Sequence, residues 1–361
     1  LPTNRPPAAP PAAAVPAEGA QKRRNGSLLQ GLSLLAIGAA LSLPPASTAV
    51  AESIDLPVSS RAFSEFAIGS DKRVFGKLEF LGGLSYSSTN PLLGAVSAIR
   101  FREDHQTFVA VLDTGHWLTG RVERDAGGKL SGLADLKVRS MFNSAGQDEN
   151  VKYQMDGEGL AIGKGEVFAS YEVFHRIDAY PDPGFMEAAP SRTLPLPFPR
   201  NEMRSNRGME ALAMSPEAGP LGATLVAVTE RSLDADGNVL AAVLDGPLKG
   251  TFAVKRNDPW DITDGAFLPN GDLLLLERRF RLSDGVGMRI RRIDGTKIRP
   301  GAVVDGEVLI DADLSHQIDN MEGLDVVTMA QDDIRLIVVS DDNHSILQRN
   351  LMLEFRLPQA K

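Results

Sequence analysis

One short phrase recurs along the chain, and it narrows the possible folds more than any other feature. Ile318-Asp319-Asn320-Met321-Glu322-Gly323-Leu324-Asp325-Val326 has counterparts in Asp156-Gly157-Glu158-Gly159-Leu160-Ala161 and in residues 206–214, Asn-Arg-Gly-Met-Glu-Ala-Leu-Ala-Met. Thr263 to Leu268 reads as a further copy with Asp264 in the glutamate slot, and Ala95 to Phe101 as one with Ser97 there. Each copy sets a polar residue before a small residue and an apolar pair, as at the start of a strand. A second apolar strand follows each and ends on another acid: Asp113, Glu172, Glu230, Glu277 and Asp341. Repetition at this period, roughly 40–55 residues, is the signature of a ring of small sheets.

The text between the copies is strand and turn. Thr107 to Leu112, Glu166 to Tyr171, Ala223 to Thr229, Leu273 to Leu276 and Ile334 to Ser340 are short, largely apolar runs. Asp125-Ala126-Gly127-Gly128, Asp236-Gly237 and Asn270-Gly271 are turn signals between such runs. No helix-period stretch of useful length occurs outside the N-terminal segment. The fold expected is all-β, a β-propeller. Residues 53–81 add strands that would make a sixth blade, the arrangement this reading favours. Closure of a five-bladed ring against the C-terminal strand is the alternative.

The 361 residues contain no cysteine, which excludes disulfides and thiolate metal sites. Residues 1–51 read as a Pro/Ala-rich leader and a cleavable signal: Lys22-Arg23-Arg24, an apolar stretch from Leu28 to Leu43, and Ala49-Val50-Ala51 before Glu52. Residues 52–361 would then be one propeller domain, periplasmic or secreted, monomeric, with no membrane span. Removing Arg5, Lys22, Arg23, Arg24 and Glu18 with the leader moves the formal charge from −9 to −12. So acidic a body does not suit nucleic acid as a partner. There is no G-x-S-x-G, no H-E-x-x-H, no P-loop, no i,i+4 histidine pair and no organic-cofactor motif.

In a propeller the first strand of each blade lines the central channel, so one repeated position makes a ring of side chains. Asp156, Glu158, Glu210, Asp264, Asp319, Glu322, Asp341 and Asp342 are the acids expected near such a ring. Crowded carboxylates raise one another's pKa, and a hard cation such as Ca²⁺, which takes six to eight oxygens, relieves them. The same acids also read as struts between blades, paired with arginine. Arg231, Arg278, Arg279 and Arg349 follow the acids and have the geometry to hold an anionic ester. Glu210 and Glu322 are the candidates for proton transfer.

Gly82-Gly83-Leu84-Ser85, Asp113-Thr114-Gly115, Asp156 to Leu160, residues 206–213, Asp264 to Gly271, Leu276-Glu277-Arg278-Arg279, Asp319 to Leu324 and Ser340 to Asn343 resemble the bacterial phytase-like proteins, described by an esterase-like activity of phytase. The resemblance spans about Gly82 to Leu357 and implies an exported propeller that hydrolyses a small anionic ester or phosphoester. A non-catalytic binding propeller and a Ca²⁺-dependent lactonase are the alternative readings.

Overall fold

Four consecutive leucines, Leu273 to Leu276, are all buried, so both faces of their strand are covered. Alternation sends them two ways. Leu274 and Leu276 join a cluster with Leu324, Leu336, Val338 and Phe355, whereas Leu273 and Leu275 join one with Ala211, Val226 and Val228. A sheet sandwiched between two others in this way is a propeller blade.

The computed structural model describes residues 52–148, 154–198, 203, 208–281, 285–330 and 333–358. They form five sheets around one axis. The innermost strands are Val96–Phe101, Gly157–Gly163, Met209–Met214, Asp261–Phe267 and Asn320–Ala330, which open blades 1 to 5 in chain order. Each inner strand packs on the next, and the fifth returns to the first. Five apolar clusters result, one at each blade interface.

The expectation of six blades is corrected to five. The N-terminal strands do not make a blade of their own. Leu78–Ser87 pairs with the C-terminal strand Asn350–Leu357, and Ser59–Phe63 pairs outside it, so these strands complete blade 5, while Ile54–Asp55 adds to the outer edge of blade 1. Phe66, Phe80 and Phe355 lock this seam, with ring centroids 5.1–5.3 Å apart. Arg124 of blade 1 makes a two-pronged ion pair with the buried Glu354 of blade 5, at 2.8 and 2.9 Å. Within the proline-rich stretch after Tyr180, Arg192–Leu194 forms the outer strand of blade 2. Residues 1–51, where the signal is expected, lie outside the described residues. No helix among the described residues is long and apolar enough to cross a membrane.

Candidate metal centre and anion cleft

The repeated phrase has a structural counterpart in a repeated defect. In every blade the ladder between the inner strand and its neighbour slips by one residue near the same end. The slip leaves Ser97, Glu158, Glu210, Thr263 and Glu322 as the extra residues. A bulge of this kind re-aims a side chain. Ser97, Glu158, Glu210 and Glu322 face one cavity of about 230 Å³, and Thr263 gives its hydroxyl to the Met321 carbonyl of blade 5 at 3.2 Å. Beside each bulge, the next strand contributes its equivalent residue: Asp113, Glu172, Glu230, Arg278 and Asp341. All five line the same cavity.

This register corrects the reading of blade 4. Sequence similarity put Asp264 in the glutamate slot and Glu277 in the second-strand slot, and both are one residue off. Asp264 occupies the small-residue position shared by Ala98, Gly159, Ala211 and Gly323. There it meets Arg100, whose Nη1 and Nη2 lie 2.9 and 2.8 Å from the two carboxylate oxygens. Arg100 also donates to the carbonyls of Leu212, Gly265 and Leu324, at 2.8–2.9 Å, so one guanidinium spans blades 1, 3, 4 and 5. Asp264 accepts from the backbone N–H of Gly265 and Leu324 as well. The pair is a plug across the channel, between the acid cavity and a smaller one at the other end lined by Arg100, Phe101, Asp325 and Val326. Glu277 is buried with Arg289 and Arg291 inside blade 4.

With blade 4 re-registered, the second-strand positions hold four acids and one arginine. Arg278 Nη1 is 2.9 Å from Glu322 and 2.5 Å from the Asn320 amide oxygen, and Nη2 is 3.7 Å from Glu230. Coulombic attraction to Glu322 comes first in holding this guanidinium charged. The acids respond oppositely. Burial, then Glu210, Glu172, Asp156 and Glu322, push Glu158 well above the usual carboxylate range. Burial, then Glu230, Glu172 and Glu322, do the same to Glu210. Glu172 rises to about 7 through burial, then Asp156 and Glu230. Glu322 rises to about 7 through burial, against the pull of Arg278. Asp341 rises to about 6, again mainly through burial. Asp156, Glu158 and Glu172 each present an oxygen within 4.8 Å of the others.

A larger cleft of about 950 Å³ adjoins the cavity and shares Glu230, Arg278 and Asn343 with it. It contains the four arginines singled out in the sequence.

A family profile, Phytase-like: Esterase-like activity of phytase, matches residues 91–344. The chain belongs to the phytase-like family. Among solved structures, this phytase-like chain is similar to the Myceliophteria thermophila Cps50 (Swd1) β-propeller domain, with a TM-score of 0.35 and 10% identity over 69% of this chain and 63% of that one. It is also similar to the RRP9 WD40 repeats, with a TM-score of 0.40 and 10% identity over 73% of this chain and 95% of that one. This chain therefore spans just under two thirds of the length of the Cps50 domain. No curated protein matches.

The phytase-like site brings together Asp156, Glu158, Glu210, Glu322 and Asp341 from the expected ligand set, and adds Asp113, Glu172 and Glu230. Asp264 is the plug described above. Asp319 lies in the larger cleft, where Arg349 approaches it at 3.6 Å. Asp342 holds the loop between the last strands, accepting from His344 N–H at 3.1 Å and the Asn350 amide at 2.7 Å. In the cleft, Arg231 is paired through both carboxylate oxygens with Asp261. Arg279 lies over the Trp260 ring at 5.1 Å, and Arg349 also reaches Gln317 and the Ile318 carbonyl. The three second-strand acids were visible in the sequence as strand-ending acids. Arg278 as their fifth member was not, because the bulge that brings it there leaves no compositional trace.

Proposed function

We propose that this phytase-like propeller is a hydrolase of small anionic esters, phosphoesters first, working with a divalent cation held by channel carboxylates. One observation carries the reading: the oxygens of Asp156, Glu158 and Glu172 converge within 4.8 Å beside an arginine-lined cleft. The donor set is all oxygen and acidic, which fits calcium, and burial together with mutual repulsion raises the pKa of Glu158 and Glu172, a penalty on their charged forms that a cation would relieve. When bound, the ion would supply Lewis-acid polarisation of the ester and acidify water.

The chain's own groups divide the rest of the work. Arg278, at the border of cavity and cleft, holds the substrate anion while remaining tied to Glu322. Arg231, Arg279 and Arg349 orient it further out. Glu210, a carboxyl of the cavity raised above the usual carboxylate range by burial and then by Glu230, Glu172 and Glu322, takes the proton from water. We place the enzyme outside the cytoplasm as a monomer, in keeping with its signal-like leader, and N-terminal sequencing of exported protein should begin at Glu52.

The decisive experiment is metal analysis followed by a phosphoester, carboxyl ester and lactone panel with and without chelator. Hydrolysis should vanish in chelator and return with Ca²⁺, and Glu210→Gln should lose about 10²–10⁴-fold in kcat. Full turnover in excess chelator would sink the cation reading. The ion pairs Arg278–Glu322 and Arg231–Asp261 favour a second reading, in which the acids are struts of a binding propeller. It predicts no turnover on any ester, and lactone-only turnover would instead support the lactonase.

A further inference from the structure

The hydrolase reading leaves the body of the substrate unspecified, and the walls of the larger cleft bear on it. Its charges nearly cancel. Arg231, Arg278, Arg279 and Arg349 face Asp261, Glu230 and Asp319 within the same lining, and the cavity beyond is dominated by acids. A single anionic group can share an arginine with its resident carboxylate, because a guanidinium offers five donors. A densely charged polyanion would meet the acids as well, without enough surplus cation to offset the repulsion.

The remaining wall is apolar and exposed. Phe280 is 70% exposed, Leu314 56% and Leu347 87%, and all three line the cleft with Val286. Phe280 and Val286 stand opposite each other in the blade 4 hairpin, so they share a face. Leu314 lies against Gly285, where a Cβ would come within 2.3 Å of its Cδ1. Leu347 arrives from the loop before the last strand of blade 5. Exposed apolar side chains from three separate segments, gathered on the rim of one charged cleft, mark a surface that a ligand covers.

Resting on the hydrolase reading, we infer that the ester is amphiphilic. It carries one anionic group for the arginines and an alkyl or aryl portion that lies on Phe280, Val286, Leu314 and Leu347. A polyphosphorylated polyol is not its substrate.

The test is a matched series on the Ca²⁺-loaded protein: methyl, butyl and octyl phosphate, 1-naphthyl phosphate and inositol hexakisphosphate. From methyl to octyl, kcat/KM should rise about tenfold or more, carried by KM, with inositol hexakisphosphate the poorest. The double variant Phe280→Ser/Leu347→Ser should lose the chain-length dependence, and exposure of both side chains keeps the fold out of the comparison. A flat series, or preference for inositol hexakisphosphate, overturns the inference. Calorimetric binding of octyl phosphate against inorganic phosphate separates this from the parent reading. Chain-length-dependent binding without turnover upholds the amphiphilic ligand and sinks hydrolysis, whereas turnover without chain-length dependence does the reverse. Neither binding nor turnover overturns both.

Discussion

Arg100 gives its terminal nitrogens to carbonyls and a carboxylate on every side, whereas Arg278, about a third exposed, keeps part of its surface open to the cleft. The first is architecture and the second belongs to the site, and substitution should separate them. Arg100→Met leaves Asp264 buried without its partner and should cost about 3–5 kcal/mol in denaturant unfolding. Arg100→Met/Asp264→Leu should recover most of that loss. Glu158→Gln should do the opposite in chelator. It removes a carboxylate that its neighbours repel, so the metal-free midpoint should hold or rise while the Ca²⁺-dependent shift shrinks. The acids also set a pH dependence. Glu172 and Glu322 titrate at about 7 when folded, against 4.5 unfolded. Between those limits the folded chain binds more protons, so its stability is fullest at the acid end and falls as pH rises through 7. Chelated protein should therefore resist urea better at pH 5 than at pH 7.5, and Ca²⁺ should restore the difference at pH 7.5.

At the scale of the strand, the phrase in the sequence and the bulge in the structure are one object seen twice. Five polar-small-apolar copies revealed that the position exists. They did not reveal its register in blade 4, because Asp264-Gly265-Ala266 resembles Glu158-Gly159-Leu160 in composition, and only pairing with Leu274 to Arg278 fixes which residue is extra. The small residue after the bulge has a packing reason. A Cβ on Gly159 would lie 2.5 Å from the Glu210 carbonyl oxygen and 2.6 Å from Ser170 Oγ, so blades 2 and 3 approach backbone to backbone there. Gly159→Val should destabilise by about 1–3 kcal/mol by overpacking and move Glu158 and Glu210 apart. A loss of Ca²⁺ affinity larger than that of Gly128→Ala, where the turn is open, would report the displacement. The apolar pattern and the turns were legible because they are local. The bulges were not, because they depend on a partner strand.

Blade number belongs to the whole molecule. Residues 53–81 read first as a sixth blade and only second as the closing part of a five-bladed ring, and the choice rests on pairing between strands at opposite ends of the chain. Leu78–Ser87 fills blade 5 between Asn350–Leu357 and Ser59–Phe63, which makes the ring a covalent loop with one non-covalent clasp. A chain beginning at Asn90 should lack that clasp and elute as aggregate on size exclusion, and a peptide of residues 52–89 added during refolding should restore the monomer. Recovery of a cooperative monomer without the peptide would show that the clasp is dispensable.

The clasp also sets the order of events in time. Glu79 and Arg356 pair across 277 residues, so one of the first-made strands waits beside an unfinished partner until nearly all the chain is available. The four inner strands of each of blades 1 to 4 follow one another along the chain, apart from the short Val303–Val304 strand that leaves blade 4 for the edge of blade 3, and can form early. The final step brings distant segments together, and such closures are slow. Until then the edges of Leu78–Ser87 and of blade 5 stay unpaired, and that interval is when this chain is most exposed to joining a second copy of itself.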